Sequence, residues 1–423
     1  MNHGFGRKFA PRNRLPAADV LPPENGGSTH RRHARKHFPC MRQRVRGRIH
    51  TIFTEVFRMA SYRSFSVSRW GIIAAGAIIG LVAVFLQTSG NPPNMGICVA
   101  CFERDIAGAL GLHRAAVAQY LRPEISGILL GSFAAALLFR EFRARSGSAP
   151  LVRFVLGMFA AIGALVFLGC PWRALLRLSG GDLNAVVGLA GLAAGIGAGV
   201  WFLKSGFSLG RSAGTRLSAG LILPVIMTGL LLLRVFRPSF LFFSEKGPGS
   251  LHAPALISLA AGAAVGILAQ RTRFCTMGAI RDVILMRDTH LLGGIVALVV
   301  AAFIGNLAFG RFAAGFAGQP IAHSSHLWNF LGMTLAGLAF CLAGGCPGRQ
   351  LILAGEGDGD AGVFVLGMIS GAAVAHNFLL AAKPDAIIDG AVKTGGIGVE
   401  GMTAVAIGLA VCAVFGFTMR ETA

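Results

Sequence analysis

The sequence has few charged residues and almost no tyrosine. Of its 423 residues, 13% are charged and two are tyrosine, whereas 54% are hydrophobic and the mean hydropathy is +0.65. Average globular chains carry about 25% charged residues. The sequence contains no Walker motif, catalytic triad or dinucleotide-binding fingerprint. This composition excludes a disordered protein and a DNA-binding domain, and it argues against an ordinary soluble enzyme.

The charge that is present is concentrated at the start of the chain. The net charge is +21, and residues 1–69 hold 15 Lys and Arg against three acidic residues, which gives about +12. Because residues 1–65 also lack apolar periodicity, we expect a basic disordered extension. We interpret Met59 as the true start and residues 1–58 as upstream sequence, with a tail that binds anionic lipid as the alternative. No nucleic-acid partner is expected.

Long apolar runs follow from Trp70 onward. A membrane-spanning helix needs about 20 predominantly apolar residues. The runs are rich in Gly and Ala, which lets helix backbones approach closely in lipid. We therefore predict an all-α integral membrane protein with about ten transmembrane helices, at residues 70–89, 123–139, 152–170, 183–203, 217–235, 254–270, 291–310, 326–345, 361–382 and 402–419.

Lysine and arginine mark alternate connectors between these runs. Cytoplasmic connectors of membrane proteins carry an excess of these two residues. We therefore predict a multi-pass protein of the bacterial inner membrane with both termini in the cytoplasm. The basic connectors contain Arg140, Arg143, Arg145 and Arg153, then Lys204, Arg211 and Arg216, then Arg271, Arg273, Arg281 and Arg287.

The two halves of the chain share a cysteine-containing pattern, which predicts two membrane repeats at residues 66–236 and 237–423. Each repeat holds five predicted spans. Because five is an odd number, the second repeat must enter the membrane from the opposite side. The recurring motifs are Cys98 with Arg104 and Asp105 against Cys275 with Arg281 and Asp282, and Gly169-Cys170-Pro171 against Gly345-Cys346-Pro347.

Inverted repeats with interrupted helices are typical of transporters, whose sites lie where the repeats meet. Cys98 and Cys170 are then expected toward the outside, and Cys275 and Cys346 toward the cytoplasm. Pro cannot continue the hydrogen bonding of a helix and Gly removes side-chain bulk. The Gly-Cys-Pro triplets therefore predict thiols at short, broken helices, where backbone can line a cavity.

Arginines next to these thiols would add positive potential. Arg173 and Arg349 each follow a Gly-Cys-Pro cysteine by three residues, and Arg273 lies just before Cys275. Thiols contact soft sulfur or selenium atoms weakly, and weak contact at several sites suits passage of a substrate. We interpret the following as substrate-binding residues: Cys98, Cys101, Cys170, Cys275, Cys346, Arg173, Arg349 and Arg273.

Cys98 and Cys101 form a Cys-x-x-Cys pair, for which three roles stay open. The pair could be a redox couple on an oxidising face, two metal ligands, or a two-thiol lining of an outer vestibule. The sequence has no second Cys-x-x-Cys, and its histidines after residue 70 show no ligand spacing. Neither a metal nor a cofactor is therefore expected.

The repeated Arg-Asp pairs are interpreted as structural clamps, with a gating or substrate role as the alternative. Neighbouring residues on a helix do not face each other. Arg104 and Asp105, like Arg281 and Asp282, are therefore expected to bond elsewhere rather than to each other.

These motifs resemble those of the YeeE/YedE family of sulfur-compound transport membrane proteins, and most closely its YedE branch, which is associated with selenium transport. The resemblance covers about residues 66–420 and is carried by residues 94–105, 273–282 and 344–349. It implies inverted pseudo-symmetry and, by analogy with thiosulfate-transporting members, passage of substrate along central cysteines. Cys275 and Cys346 match that motif type best, and Cys98 and Cys170 are their repeat mates.

The expected function is transport of a small selenium- or sulfur-containing compound through a cysteine-lined path, and not enzymatic catalysis. The alternative is a membrane thiol oxidoreductase, or a persulfide or perselenide carrier, that uses Cys98 and Cys101. A purely structural membrane subunit is a third interpretation. The expected partners are the chalcogen-containing substrate, the lipid bilayer and a cytoplasmic sulfur- or selenium-carrier protein.

Overall fold

Helices dominate residues 68–388 and 391–420, which are the part of the chain that the computed structural model describes. The predicted all-α class is thus confirmed, and the predicted extension at residues 1–65 lies outside the described residues. Each predicted span corresponds to a long helix: α1 (Arg69–Thr88), α3 (Pro123–Leu138), α4 (Pro150–Val166), α6 (Asn184–Lys204), α7 (Leu217–Phe236), α8 (Ala255–Thr272), α10 (His290–Ala308), α11 (His326–Ala343), α13 (Gly359–Asn377) and α14 (Val399–Thr418).

Four short helices and two small two-stranded sheets complete the described fold. Antiparallel pairing joins β1 to β2 across two connectors, and β3 to β4 within one connector. The short helices are α2 (Val99–Ala109), α5 (Pro171–Ser179), α9 (Thr276–Met286) and α12 (Pro347–Gly355), and the strands are β1 (Arg145–Ser146), β2 (Ala213–Gly214), β3 (Ala386–Ile388) and β4 (Ala391–Lys393).

Nine helical segments in the described residues are long and apolar enough to cross a membrane. Three of them continue through a break into the short helix that follows, namely α4 into α5, α8 into α9 and α11 into α12. The count is one below the predicted ten because α3 has only 16 residues, less than the usual length of about 20. The chain is therefore an integral membrane protein.

Both halves use the same order of elements, namely long, short, long, long, short, long, long. The most extensive helix interfaces join one half to the other: α1 with α10 and α3 with α8, then α4 with α13 and α6 with α11. In each case the first helix of one half packs against the third of the other, or the fourth against the sixth. Exchanging the halves leaves this pattern unchanged, as a two-fold pseudo-symmetric fold requires.

The connectors gather on two faces. On the face that we call the basic face, connector 139–149 pairs with 205–216 through β1 and β2, Phe207 bridges to Arg420, and Glu141 forms an ion pair with Arg271. On the opposite face, hydrogen bonds link connector 110–122 to 237–254, 180–183 to 309–325, and 309–325 to 378–398.

The two halves begin on different faces. The Arg69 side chain at the start of α1 donates to Thr289. The next residue, His290, lines a cavity together with Arg273, which follows Arg271 of the basic face. The start of α8 lies on the opposite face, where the Ala253 N–H donates to Asn91. The 16-residue helix α3 still joins both faces, since Arg122 before it bonds Leu251 and Glu141 after it pairs with Arg271. The geometry therefore gives the two halves opposite orientations.

Glycine permits the close approach of the helices that carry this arrangement. In α6, a Cβ on Gly195 would overlap the Thr334 carbonyl oxygen of α11, whereas a Cβ on Gly197 would meet no atom within 4 Å. Such backbone contact replaces the hydrophobic driving force that helices in lipid lack.

Gly195→Ala should lower the free energy of unfolding by about 1–3 kcal/mol, because overpacking at a tight contact forces the helices apart. Gly197→Ala on the same helix is the matched control and should be neutral or stabilising, since Ala has the higher helix propensity. Unfolding of the purified protein in mixed micelles measures both. Equal effects of the two substitutions would contradict the close-packing account.

Candidate functional site

Each of the four short helices begins with a cysteine at its N-cap. These cysteines are the four repeat-related ones: Cys98 caps α2, Cys170 caps α5, Cys275 caps α9 and Cys346 caps α12. The first backbone N–H groups of a helix have no partner within it and carry partial positive charge. Each thiol therefore lies at a point that favours negative charge.

The local sequence explains where the long helices are interrupted. Pro171 and Pro347 occupy the first turn of α5 and α12, where a missing N–H is tolerated. Leu168, Arg273 and Gly344 turn the preceding backbone with φ of +62°, +57° and +86°. The short helices predicted at the Gly-Cys-Pro triplets are therefore confirmed.

The first cysteine pair is sealed inside the bundle. Cys98 and Cys101 are 0% exposed and Cys170 is 1% exposed. The Cys98 Sγ accepts the Cys101 N–H at 3.4 Å, and the Cys170 thiol is a close neighbour of the Cys98 thiol. The helix that begins at Cys98 and the helix that begins at Cys170 thus converge at their positive ends.

The second cysteine pair repeats this geometry. The Sγ atoms of Cys275 and Cys346 lie 3.7 Å apart, and the Cys275 Sγ accepts the Gly278 N–H at 3.2 Å. Gly278 occupies the place that Cys101 has in the first repeat. Cys101 is therefore an additional thiol of the first pair.

A cavity of about 360 Å³ on the basic face reaches Cys275, one member of the second cysteine pair. Its wall includes Cys275 and both members of the second Arg-Asp pair, Arg281 and Asp282, together with Arg273 and Arg349. An anion in this cavity would be near three guanidinium groups and the N-terminus of α9.

A second cavity of about 360 Å³ adjoins the first and shares Arg273 and Arg349 with it. Three further arginines line it, Arg140, Arg143 and Arg145, against two glutamates. The basic connectors that the sequence assigned to one side thus form an electropositive entrance to the cysteine site.

The arginines of the two Gly-Cys-Pro motifs differ in their surroundings. Arg173 is fully buried and donates to the backbone carbonyls of Asn94, Leu168, Pro320 and Ile321, with its Nη1 3.9 Å from the Cys101 sulfur. Arg349 instead lines both cavities and lies 3.5 Å from Glu356. The guanidinium of Arg173 fastens the break before Cys170, whereas the Arg349 side chain borders both cavities beside Glu356.

An indole ring lies where the two repeats meet. Trp172, two residues after Cys170, packs edge-to-face on Phe274, just before Cys275, with ring centroids 5.9 Å apart. It also covers Gly348, its own repeat counterpart, where a Cβ would lie 2.5 Å from the ring. Trp172 therefore contacts residues beside both members of the second pair.

The expectation that Arg104 and Asp105 do not bond each other is wrong, although Asp105 does also bond elsewhere. The Arg104 guanidinium donates to the neighbouring Asp105 at 2.9 and 2.6 Å, because its long side chain folds back to the adjacent carboxylate. Asp105 is also paired with Arg122 at 2.7 Å, which in turn bonds the connector at Leu251.

Arg281 and Asp282 also bond each other, at 2.8 Å, which corrects the same expectation for the second repeat. The Arg281 side chain is 31% exposed, against 5% for Arg104. The Arg104–Asp105 pair is enclosed in a buried network, whereas the Arg281–Asp282 pair lies on the wall of the cavity beside Cys275.

Two residues near the cysteines were not singled out from the sequence. Trp172 directly follows the Gly169-Cys170-Pro171 triplet. Glu103 lies in the motif that runs from Cys98 to Asp105, and both of its carboxylate oxygens are buried without a hydrogen-bond partner. The sequence could have identified both residues, because each differs from its counterpart in the second repeat: Trp172 corresponds to Gly348, and Glu103 corresponds to Ile280. Among residues 68–388 and 391–420, no three His, Cys, Asp or Glu side chains converge so as to hold a metal ion.

The fold and the site together describe a membrane protein with two oppositely oriented halves and a cysteine pair at converging helix starts in each. The family model described as Sulphur transport matches residues 271–423. This match confirms, through the second half of the chain, the resemblance to the YeeE/YedE family of sulfur-transport membrane proteins.

A curated relative is the thiosulfate transporter TsuA of Escherichia coli (strain K12), 29% identical over 102 residues. The alignment covers 24% of this chain and 28% of the relative, so the chain spans little more than a quarter of that protein's length. Both comparisons are thus with proteins described by sulfur-compound transport.

Alkylation should distinguish the two cysteine pairs. Because Cys275 borders the cavity, N-ethylmaleimide should modify it about tenfold or more faster than the sealed Cys98. Peptide mass spectrometry of the purified protein after timed exposure measures both rates, and Cys412, which is 0% exposed, is the internal control. Equal modification of Cys98 and Cys275 would show that the first pair is not sealed.

Proposed function

We propose that this protein moves a small sulfur-containing anion, such as thiosulfate, across the inner membrane along its two cysteine pairs. The observation that carries the proposal is the convergence of paired helix starts on Cys98 with Cys170 and on Cys275 with Cys346. Cys275 of the second pair borders an arginine-lined cavity. The family match and the similarity to a thiosulfate transporter support the same substrate class.

The chemistry of the site suits a thiosulfate-like anion. Helix N-termini attract the negative oxygens, while thiols are weak donors and polarizable surfaces for the terminal sulfur. Neither interaction is strong enough to trap the ion, and passage requires sites that can be left as well as entered. A selenium-containing anion has the same features, so the site geometry accommodates either element.

We assign the basic face to the cytoplasm, because Lys and Arg are enriched in cytoplasmic connectors. Substrate then approaches Cys98, Cys101 and Cys170 from outside and leaves past Cys346 and Cys275. Both ends of the described membrane part, Arg69 and Arg420, lie on this face. The arginine-lined cavities there would also be accessible to an acidic surface on a cytoplasmic sulfur-carrier protein.

Within this proposal, Arg173, Arg104 and Asp105 hold the first break in place, because their side chains are used in buried bonds. The substrate-facing charges are those on the cavity wall. They are Arg273, Arg349, Arg281 and Asp282.

Cys275→Ser and Cys346→Ser should each lower thiosulfate uptake about tenfold or more, which corresponds to about 1.4 kcal/mol or more in the barrier. Serine keeps the size but removes the polarizable sulfur. Uptake of ³⁵S-thiosulfate into proteoliposomes measures the effect, with Cys412→Ser as the control because Cys412 lies on α14 and has no repeat partner. Full uptake by both site variants would refute passage along the cysteines.

Arg273→Asn should raise the KM for thiosulfate several-fold and weaken its dependence on ionic strength, since a screened attraction at the cavity is lost. Arg287→Asn is a closely matched control. Both arginines are exposed helix C-caps with φ of +57°, a conformation that Asn tolerates, but Arg287 does not line either described cavity. The same KM in both variants would mean that the cavity does not collect substrate.

A further inference from the structure

A carboxyl group without a partner lies in the helix that Cys98 caps. Glu103 is 0% exposed, and neither of its carboxylate oxygens has a hydrogen-bond partner. Another buried acid is anchored differently: the Oε1 of Glu124 accepts hydrogen bonds from Asn91 at 2.8 Å and Ser258 at 2.9 Å. An ionised carboxylate without such partners is very unfavourable in an apolar interior. Glu103 therefore holds a proton in the conformation described.

The charged and titratable groups that the structure describes around α2 do not serve as partners for the Glu103 carboxyl group. Arg104 and Asp105 on the same helix bond each other, and Asp105 bonds Arg122. The helices packed against α2 are α3, α4, α12 and α13. Their titratable groups have other contacts: Glu124 with Asn91 and Ser258, Arg153 with Ser148 and Ala343, Arg349 with Glu356, Asp360 with Ser146, Gly147 and Ser148, and His376 with His113, whose ring lies 4.7 Å away and tilted by 30°.

The repeat comparison shows that the fold does not need an acid at this place. The position equivalent to Glu103 in the second repeat is Ile280, within the same Cys-to-Asp spacing. The short helix α9 thus forms with an apolar side chain there. An intramembrane acid that is neither paired nor structurally required is a candidate functional group.

We propose that Glu103 is a proton-binding site that couples substrate movement to proton movement, a role that rests on the proposed anion transport. A substrate anion at Cys98 and Cys170 would lie at the start of the helix that carries Glu103. Negative charge there disfavours the carboxylate and favours its protonated form, so anion and proton bind more tightly together than apart. The proton comes from water on one side, bonds to a carboxylate oxygen, and returns to water on the other side.

Coupling of this kind meets a physical need. An anion entering a compartment at negative potential moves against the electric field, and each accompanying proton cancels one elementary charge of that work. With a proton bound, the Glu103 side chain is neutral while it is buried. The proton leaves only when the site opens and water reaches the carboxyl group.

The test uses the full-length protein in proteoliposomes that contain a pH-sensitive dye. Addition of thiosulfate to the outside should acidify the lumen of wild-type vesicles, and an acidic exterior should increase thiosulfate accumulation about tenfold or more. Glu103→Gln should lose both responses but keep exchange of labelled for unlabelled thiosulfate. Glu103→Asp should retain the proton signal, and Glu400→Gln, which alters an exposed acid on α14, should match wild type.

The outcomes separate the two proposals. Wild-type vesicles that exchange thiosulfate without any proton signal, or a Glu103→Gln variant that keeps the full signal, would overturn the proton site and leave anion transport standing. Wild-type vesicles that do not exchange thiosulfate at all would overturn the transport function itself. If Glu103→Gln does not fold, the wild-type proton signal and its shift in pH profile in Glu103→Asp decide the question.

Discussion

The breaks before the four short helices leave backbone N–H groups without partners inside a helix, and the fold is organised around keeping those groups away from lipid. Unsatisfied backbone polar groups are tolerated at membrane depth only where protein encloses them or a cavity meets them. Here the breaks are placed in pairs, thiol against thiol, with Cys275 and Cys346 3.7 Å apart. The long helices from both halves pack around these pairs, so the pseudo-symmetry serves to bring the positive helix ends together.

Much of this arrangement could be predicted from the sequence. The ten long helices follow from apolar runs of helical length, and the four capping cysteines follow from comparing the two halves. Pro171 and Pro347 then fix where α5 and α12 begin. The pairing of α1 with α10 and α3 with α8 could not be predicted, because the glycine contacts that select it depend on which backbones meet in three dimensions.

The candidate site was predictable only where the repeats agree. Comparing the halves identified the cysteines and the Arg-Asp pairs, but it gave no information on which copy is buried. Arg104 joins a closed network through Arg122, and Arg281 lies on a cavity wall, although both stand at the same place in the motif. Glu103 and Trp172 were missed because the comparison looked for what the halves share, and these two residues are what the halves do not share.

The contact of Trp172 with Gly348 and Phe274 has a consequence for the leakage of protons along the proposed path. An indole offers a hydrogen-bond donor and no acceptor. A file of water molecules that reached the ring would therefore find no group to which it could pass a proton onward. Within the proposed path, a ring packed beside Cys275 and Cys346 in this way would act as an insulator against proton leakage when no anion is bound.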